Sequence, residues 1–146
     1  MKKLICITLV LLVTLGALTS CNFTQNSSGA LAGAAEATPK VEKMMTALAE
    51  SRTEDAKVLM HPEVAEKSDA AIAQLVAFLS GRNASSMEQK NINVSSSTGT
   101  SGKTRQENVV YRVTLTEGEV IYLNVTYLSD NGGTGFLSFQ IVLGVA

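Results

Sequence analysis

The spacing of hydrophobic positions along this chain changes three times. Residues 4–18, "LICITLVLLVTLGAL", form one apolar run. Residues 22–38, "NFTQNSSGALAGAAEAT", carry no usable period. From Pro39 to Gly81 the apolar positions recur at intervals of three and four. Val41, Met44, Met45 and Leu48 make one set, Ala56, Leu59 and Met60 a second, and Ile72, Leu75, Val76 and Leu79 a third. That spacing places each set on one face of a helix. Methionine in such a stripe fills a core. Beyond Gly81 the period falls to two, the period of a strand with one buried face. "NINVS" (91–95) is a weak strand; "NVVYRVTLT" (108–116), "EVIYLNVTYL" (119–128) and "FLSFQIVLGV" (136–145) are strong ones.

Local signals punctuate these elements. Thr38-Pro39, Thr53 and Ser68-Asp69 are expected to open three helices, with Glu54 and Asp55 in a first turn that favours negative charge. Pro62 is expected to end the second helix at His61, and Gly81 to end the third. "SSTGTSGKT" (96–104), "TEGE" and "SDNGGTG" read as loops and turns. Helices first and an antiparallel meander afterwards predict an α+β domain. Its helices pack on one face of a curved antiparallel sheet of about four strands.

The turn after residue 115 sets the register. Val109, Tyr111, Val113 and Leu115 form the apolar face of one strand; Ile121, Leu123, Val125 and Tyr127 form that of the next. A two-residue turn at Glu117-Gly118 would send these faces to opposite sides of the sheet. A three-residue turn over Thr116, Glu117 and Gly118 pairs Val113 with Ile121 and Tyr111 with Leu123, and the faces coincide. That turn needs its last residue in the left-handed region, where glycine stands. Leu137, Phe139, Ile141 and Leu143 are expected on the same face.

Length and charge narrow the rest. The 146 residues make at most one ordinary domain. Hydrophobic content is 45% and the net charge −1, so no basic surface points to nucleic acid. Lys2 and Lys3 precede the apolar run, and small residues follow it. That is the layout of a secretory signal peptide. A membrane span is the alternative. Fifteen residues as helix reach only about 22 Å, short of a ~30 Å hydrocarbon core.

The run ends in Leu18-Thr19-Ser20-Cys21. An aliphatic residue, two small residues and a cysteine resemble the lipobox of bacterial lipoproteins. The resemblance implies a diacylglyceryl group on the Cys21 sulfur and cleavage before Cys21. Residues 1–20 are then a signal peptide. Without them the chain has 126 residues, 10 basic against 13 acidic, and Cys21 as its one cysteine. No disulfide within the body is possible, and an acidic body is not drawn to anionic headgroups. Attachment rests on acyl chains, two or three of which hold durably where one holds marginally. Residues 21–38 are expected to be a flexible tether with a span of about 20–25 Å, and residues 39–146 the α+β domain. Asn22 resembles the default for outer-membrane sorting; in a one-membrane bacterium the protein stays on the outer face of the plasma membrane.

The order of elements, with the opening "MMTALAESRTEDAKVLM" (44–60), is similar to the cystatin-like, or nuclear-transport-factor-two-like, fold. The resemblance implies a helix-on-sheet body; some members are enzymes and many bind ligands or partners, so the fold does not choose among functions.

Candidate chemistry is sparse. "STGTSGKT" (97–104) approximates a phosphate-binding loop, but Ser97 stands for the first glycine and a strand follows where a helix is required. No nucleotide is expected; the segment reads as a mobile hairpin loop. His61 is the one histidine; a triad or metal site needs partners beyond it, and a histidine at a helix C-terminus is favoured by the dipole. No catalytic residue, metal or cofactor is assigned. Tyr111, Tyr122 and Tyr127 are candidate pocket residues between sheet and helices. Asn83-Ala84-Ser85 and Asn124-Val125-Thr126 match the glycosylation pattern, which is incidental in a bacterial lipoprotein. Three functions are open. The first is a non-catalytic binding module for an envelope protein or component, held to a membrane by lipid. The second is a binder of a small apolar ligand between sheet and helices. The third, an isomerase-like or hydrolytic enzyme, needs a buried carboxylate facing that space, and the apolar faces given above hold none.

Overall fold

A computed structural model describes residues 25–28 and 35–144. The signal-peptide reading and Cys21 lie outside the described residues, as does most of the expected tether. The described elements are β1 (Gln25–Ser28), α1 (Thr38–Ala49), α2 (Thr53–Val58), α3 (Pro62–Ala65), α4 (Asp69–Leu79), β2 (Ala84–Gly99), β3 (Gly102–Leu115), β4 (Val120–Asp130) and β5 (Gly133–Leu143). The five strands form one antiparallel sheet in the order β1-β2-β3-β4-β5. The architecture is α+β.

Of the four long strands, β3 and β4 follow directly from alternation. On β3, Val109, Tyr111, Val113 and Leu115 are buried while the residues between them are not; on β4, Ile121, Leu123, Val125 and Tyr127 are buried likewise. Val113 pairs with Ile121 and Tyr111 with Leu123. The three-residue turn is present: the Gly118 N–H donates to the Leu115 carbonyl, the Leu115 N–H to the Glu119 carbonyl, and Gly118 has φ +89°. Helix stripes close the other side of the core. Val41, Met44 and Leu48 of α1 and Leu79 of α4 are fully buried against this face. Arg82 ties the end of α4 to the β3–β4 turn through Glu117 and Glu119, and lies 4.7 Å from the Phe78 ring.

Four expectations need correction. The stretch 96–104, expected as a hairpin loop, is strand except at its turn. It is the end of a long hairpin in which Ser96 to Gly99 pair with Arg105 to Gly102. Gly102 takes φ +112° at the turn, so β2 has 16 residues where five were expected. The early part of β2 reads "ASSMEQK" and is exposed on both faces at most positions. Without burial it carries no alternation to read.

Leu137 does not join the core face. Opposite Thr126 and Tyr127 of β4 the register shifts, with Leu137 the extra residue on β5, so that Tyr127 faces Phe136 while Val125 still faces Phe139. Phe136 is fully buried in the place expected for Leu137, with its ring edge-on to Tyr127 and Phe139. One extra residue flips the alternation.

His61 does not close a helix. It stands at the N-cap of α3, with Pro62 in the first turn, where a missing N–H costs nothing. The connection from α2 to α3 runs along β5. The Phe136 N–H donates to the Leu59 carbonyl and the His61 N–H to the Phe136 carbonyl. Gly135 permits this approach, since a Cβ there would lie 2.4 Å from the His61 nitrogen.

The packed body begins before residue 39. Ala35 and Ala37 are buried, the α1 N-cap is Ala37, and the Thr38 hydroxyl bonds the Tyr111 hydroxyl at 2.9 Å. The segment expected to be wholly tether also supplies β1, whose Gln25–Ser28 pair with Ser96 to Asn93.

Candidate functional site

The side chain that sequence reasoning missed is Glu107. It lies two positions before Val109, on the same face of β3, and only 1% of it is exposed. The apolar face was read as starting at Val109, and a carboxylate at the next inward position gives no hydrophobic signal. The enzyme reading required a carboxylate facing the core, and the expectation that the face holds none is corrected here.

The surroundings of Glu107 decide what it can do. Its Oε2 accepts the Ala37 N–H at 3.0 Å; its Oε1 accepts the Glu36 N–H at 3.2 Å and Arg105 Nη2 at 2.9 Å. These backbone donors sit where the chain enters α1, so the carboxylate does from the sheet what no local side chain does for this helix. Gln89 on β2 adds a second fastening by accepting the Ala35 N–H. A carboxylate occupied on both oxygens by fixed donors is a latch. A general base needs a free lone pair aimed at a substrate proton.

His61 is the second buried polar side chain, and only 3% of its side chain is exposed. Its Nδ1 accepts the Glu63 N–H at 3.2 Å, which places the proton of the neutral ring on Nε2. Nε2 then donates to Asp130 Oδ1 at 3.1 Å. Asp130 Oδ1 also accepts the N–H groups of Gly132 and Gly133. An aspartate–histidine pair resembles two thirds of a triad, yet both ring nitrogens are engaged and neither faces a nucleophile. The pair ties the α2–α3 connection to the β4–β5 turn.

The three tyrosines do not share a pocket. Tyr111 and Tyr127 are buried on the core face; Tyr122 lies between Ile121 and Leu123 and faces the other side of the sheet beside Arg112 and Val142. The period of two forbids the grouping. Burial, together with smaller effects that include the nearby Glu107 carboxylate, raises the pKa of Tyr111 and of Tyr127. The space between sheet and helices is filled by Met44, Leu48, Tyr111, Leu123 and Phe136.

A surface hollow of about 280 Å³ lies elsewhere, between Glu42, Met45 and Thr46 of α1 and Asn83 to Met87 at the start of β2. Ser85 is the extra residue of a bulge there, and its hydroxyl donates to the Thr114 carbonyl. Among the described residues no group of three His, Cys, Asp or Glu is placed to hold a metal ion, and no helix is long and apolar enough to cross a membrane. Comparison with known proteins finds no family model, no curated protein and no solved structure that matches this chain.

Proposed function

We propose that this chain is a lipid-anchored protein of the bacterial cell envelope whose α+β body is a non-catalytic binding module. The observation that carries the reading is Leu18-Thr19-Ser20-Cys21 at the end of the apolar run, after Lys2 and Lys3. Thioether formation needs a thiol at that position, and the cleavage that follows needs small neighbours that let a peptidase reach the backbone. The geometry of the body supports the second half of the proposal. Among the described residues, the buried carboxylate of Glu107 and the buried imidazole of His61 have their acceptor atoms committed to fastening the chain. The finer architecture is read as cystatin-like: helices cross one face of a long antiparallel meander. A small apolar ligand is the weaker alternative. The interlayer space is filled, and the surface hollow is slightly below the ~300–1,000 Å³ of drug-sized sites and partly polar. An envelope protein is the favoured partner, and no cofactor or nucleotide is assigned.

Cys21→Ser tests the anchor. A serine hydroxyl is a far weaker nucleophile at neutral pH than a thiol. The variant is expected to leave the detergent phase on partitioning, or to persist as an uncut precursor, while its body melts as the wild type does. Wild-type protein found in the aqueous phase would contradict the reading.

A further inference from the structure

Resting on the anchor reading above, we infer that the tip of the β2–β3 hairpin, Thr98 to Lys103, lies against the lipid headgroups of the membrane that holds the protein. The argument begins with β1. Its pairing is antiparallel, Gln25 opposite Ser96 and Ser28 opposite Asn93, so the N-terminal end of β1 faces the direction in which β2 runs on to Gly99. Cys21 is four residues before Gln25. Four residues reach at most about 14 Å, however they run. Gly99 lies three residues beyond Ser96, which is about 10 Å of strand in that same direction. With the strands upright and the body outside the bilayer, the tip cannot pass the level of an acylated Cys21, and Cys21 reaches at most about 4 Å beyond the tip, inside the ~5–7 Å thickness of a headgroup layer.

The chemistry of the tip fits that position. Thr98, Thr100, Ser101 and Thr104 offer hydroxyls, Lys103 is exposed and has no ion pair among the described residues, and no carboxylate occurs between Val94 and Gln106. Arg105 beside it is drawn to Glu107 and Glu36. The acidic group of the neighbouring β4–β5 turn, Asp130, is occupied by His61 and two backbone N–H groups. The opposite end of the sheet carries Glu117 and Glu119 against Arg82 alone. One ammonium does not attach an acidic body to a membrane. It suits a surface already brought there by acyl chains, where phosphate oxygens accept from Lys103 and the hydroxyls.

The chain has no tryptophan, so a single introduced indole reports its own depth. Full-length protein carrying Ser101→Trp, Thr100→Trp or Glu117→Trp is expressed, its lipid is verified by mass, and it is placed in phosphatidylcholine–phosphatidylglycerol vesicles containing a headgroup-linked quencher. The two ends of β3 are about 45 Å apart. Quenching at 101 and at 100 is expected to exceed that at 117 by at least threefold. Ser27→Pro, which breaks β1 pairing, is expected to reduce quenching at 101 to the level seen at 117. Equal quenching at both ends of a lipidated, vesicle-bound protein would overturn the orientation and leave the anchor standing. Quenching at 101 that survives Ser27→Pro would overturn the part given to β1. Absence of the lipid mass would overturn both the orientation and the anchor.

Discussion

A buried carboxylate is stable only through what it accepts, and Glu107 accepts from Ala37, Glu36 and Arg105. Glu107→Ala leaves two backbone donors and one guanidinium without their acceptor, at a cost of about 3 kcal/mol. Glu107→Gln keeps an acceptor oxygen and costs less. Chemical denaturation of the two variants checks the order; equal midpoints would contradict the latch. Gly118 is a cleaner case. A Cβ there meets nothing within 4 Å, so only the φ of +89° resists a side chain. Gly118→Val is expected to cost about 1–3 kcal/mol, and Gly118→Asn markedly less, because asparagine tolerates the left-handed region. Similar losses for both would point to packing. The left-handed glycine was legible from the register argument. Glu107 was not, because a single polar residue at an inward position reads as the end of an apolar face.

At the scale of elements, the strong strands and the helix stripes were legible, since burial imposes their period. The early half of β2 and the hairpin end were not. Residues such as Ser95, Ser96 and Thr98 pair through their backbone and bury little, so their sequence looks like loop. The bulge at Leu137, opposite Thr126 and Tyr127, hid the inward role of Phe136 for a different reason: one inserted residue exchanges the two faces without changing composition. The start of the body was misplaced because alanines carry little hydrophobic signal, although Ala35 and Ala37 are buried and held by Gln89 and Glu107. A chain beginning at Thr38 therefore loses two buried methyl groups and both backbone donors to Glu107, leaving Arg105 as its partner. It is expected to be about 3 kcal/mol less stable than one beginning at Cys21. Thermal melting of the two chains decides; coincident transitions would return residues 35–37 to the tether.

At the scale of the whole molecule, the core contains two ionisable phenols. Tyr111 and Tyr127 have pKa values raised, chiefly by burial. The folded state holds these protons more tightly than the unfolded chain. The stability they contribute is thus fully present below the ordinary tyrosine value of 10.0 and is lost as pH rises through the higher folded values. The melting midpoint is expected to fall above pH 10, with phenolate absorbance from these residues appearing together with unfolding. Their ionisation at 10.0 in a chain that stays folded would contradict the packing described. The address proposed for the molecule rests on four residues, Leu18 to Cys21, whereas no residues name a partner. Recognition surfaces have no period, and the candidate tyrosines fall on opposite faces of one sheet. The central claim is that this body is held to a membrane by lipid on Cys21. The most direct measurement is the intact mass of the mature wild-type chain extracted from membranes. The account predicts a chain that starts at Cys21 and carries the added mass of two or three acyl chains. A chain that starts at any other residue, or at Cys21 with an unmodified thiol, would contradict it.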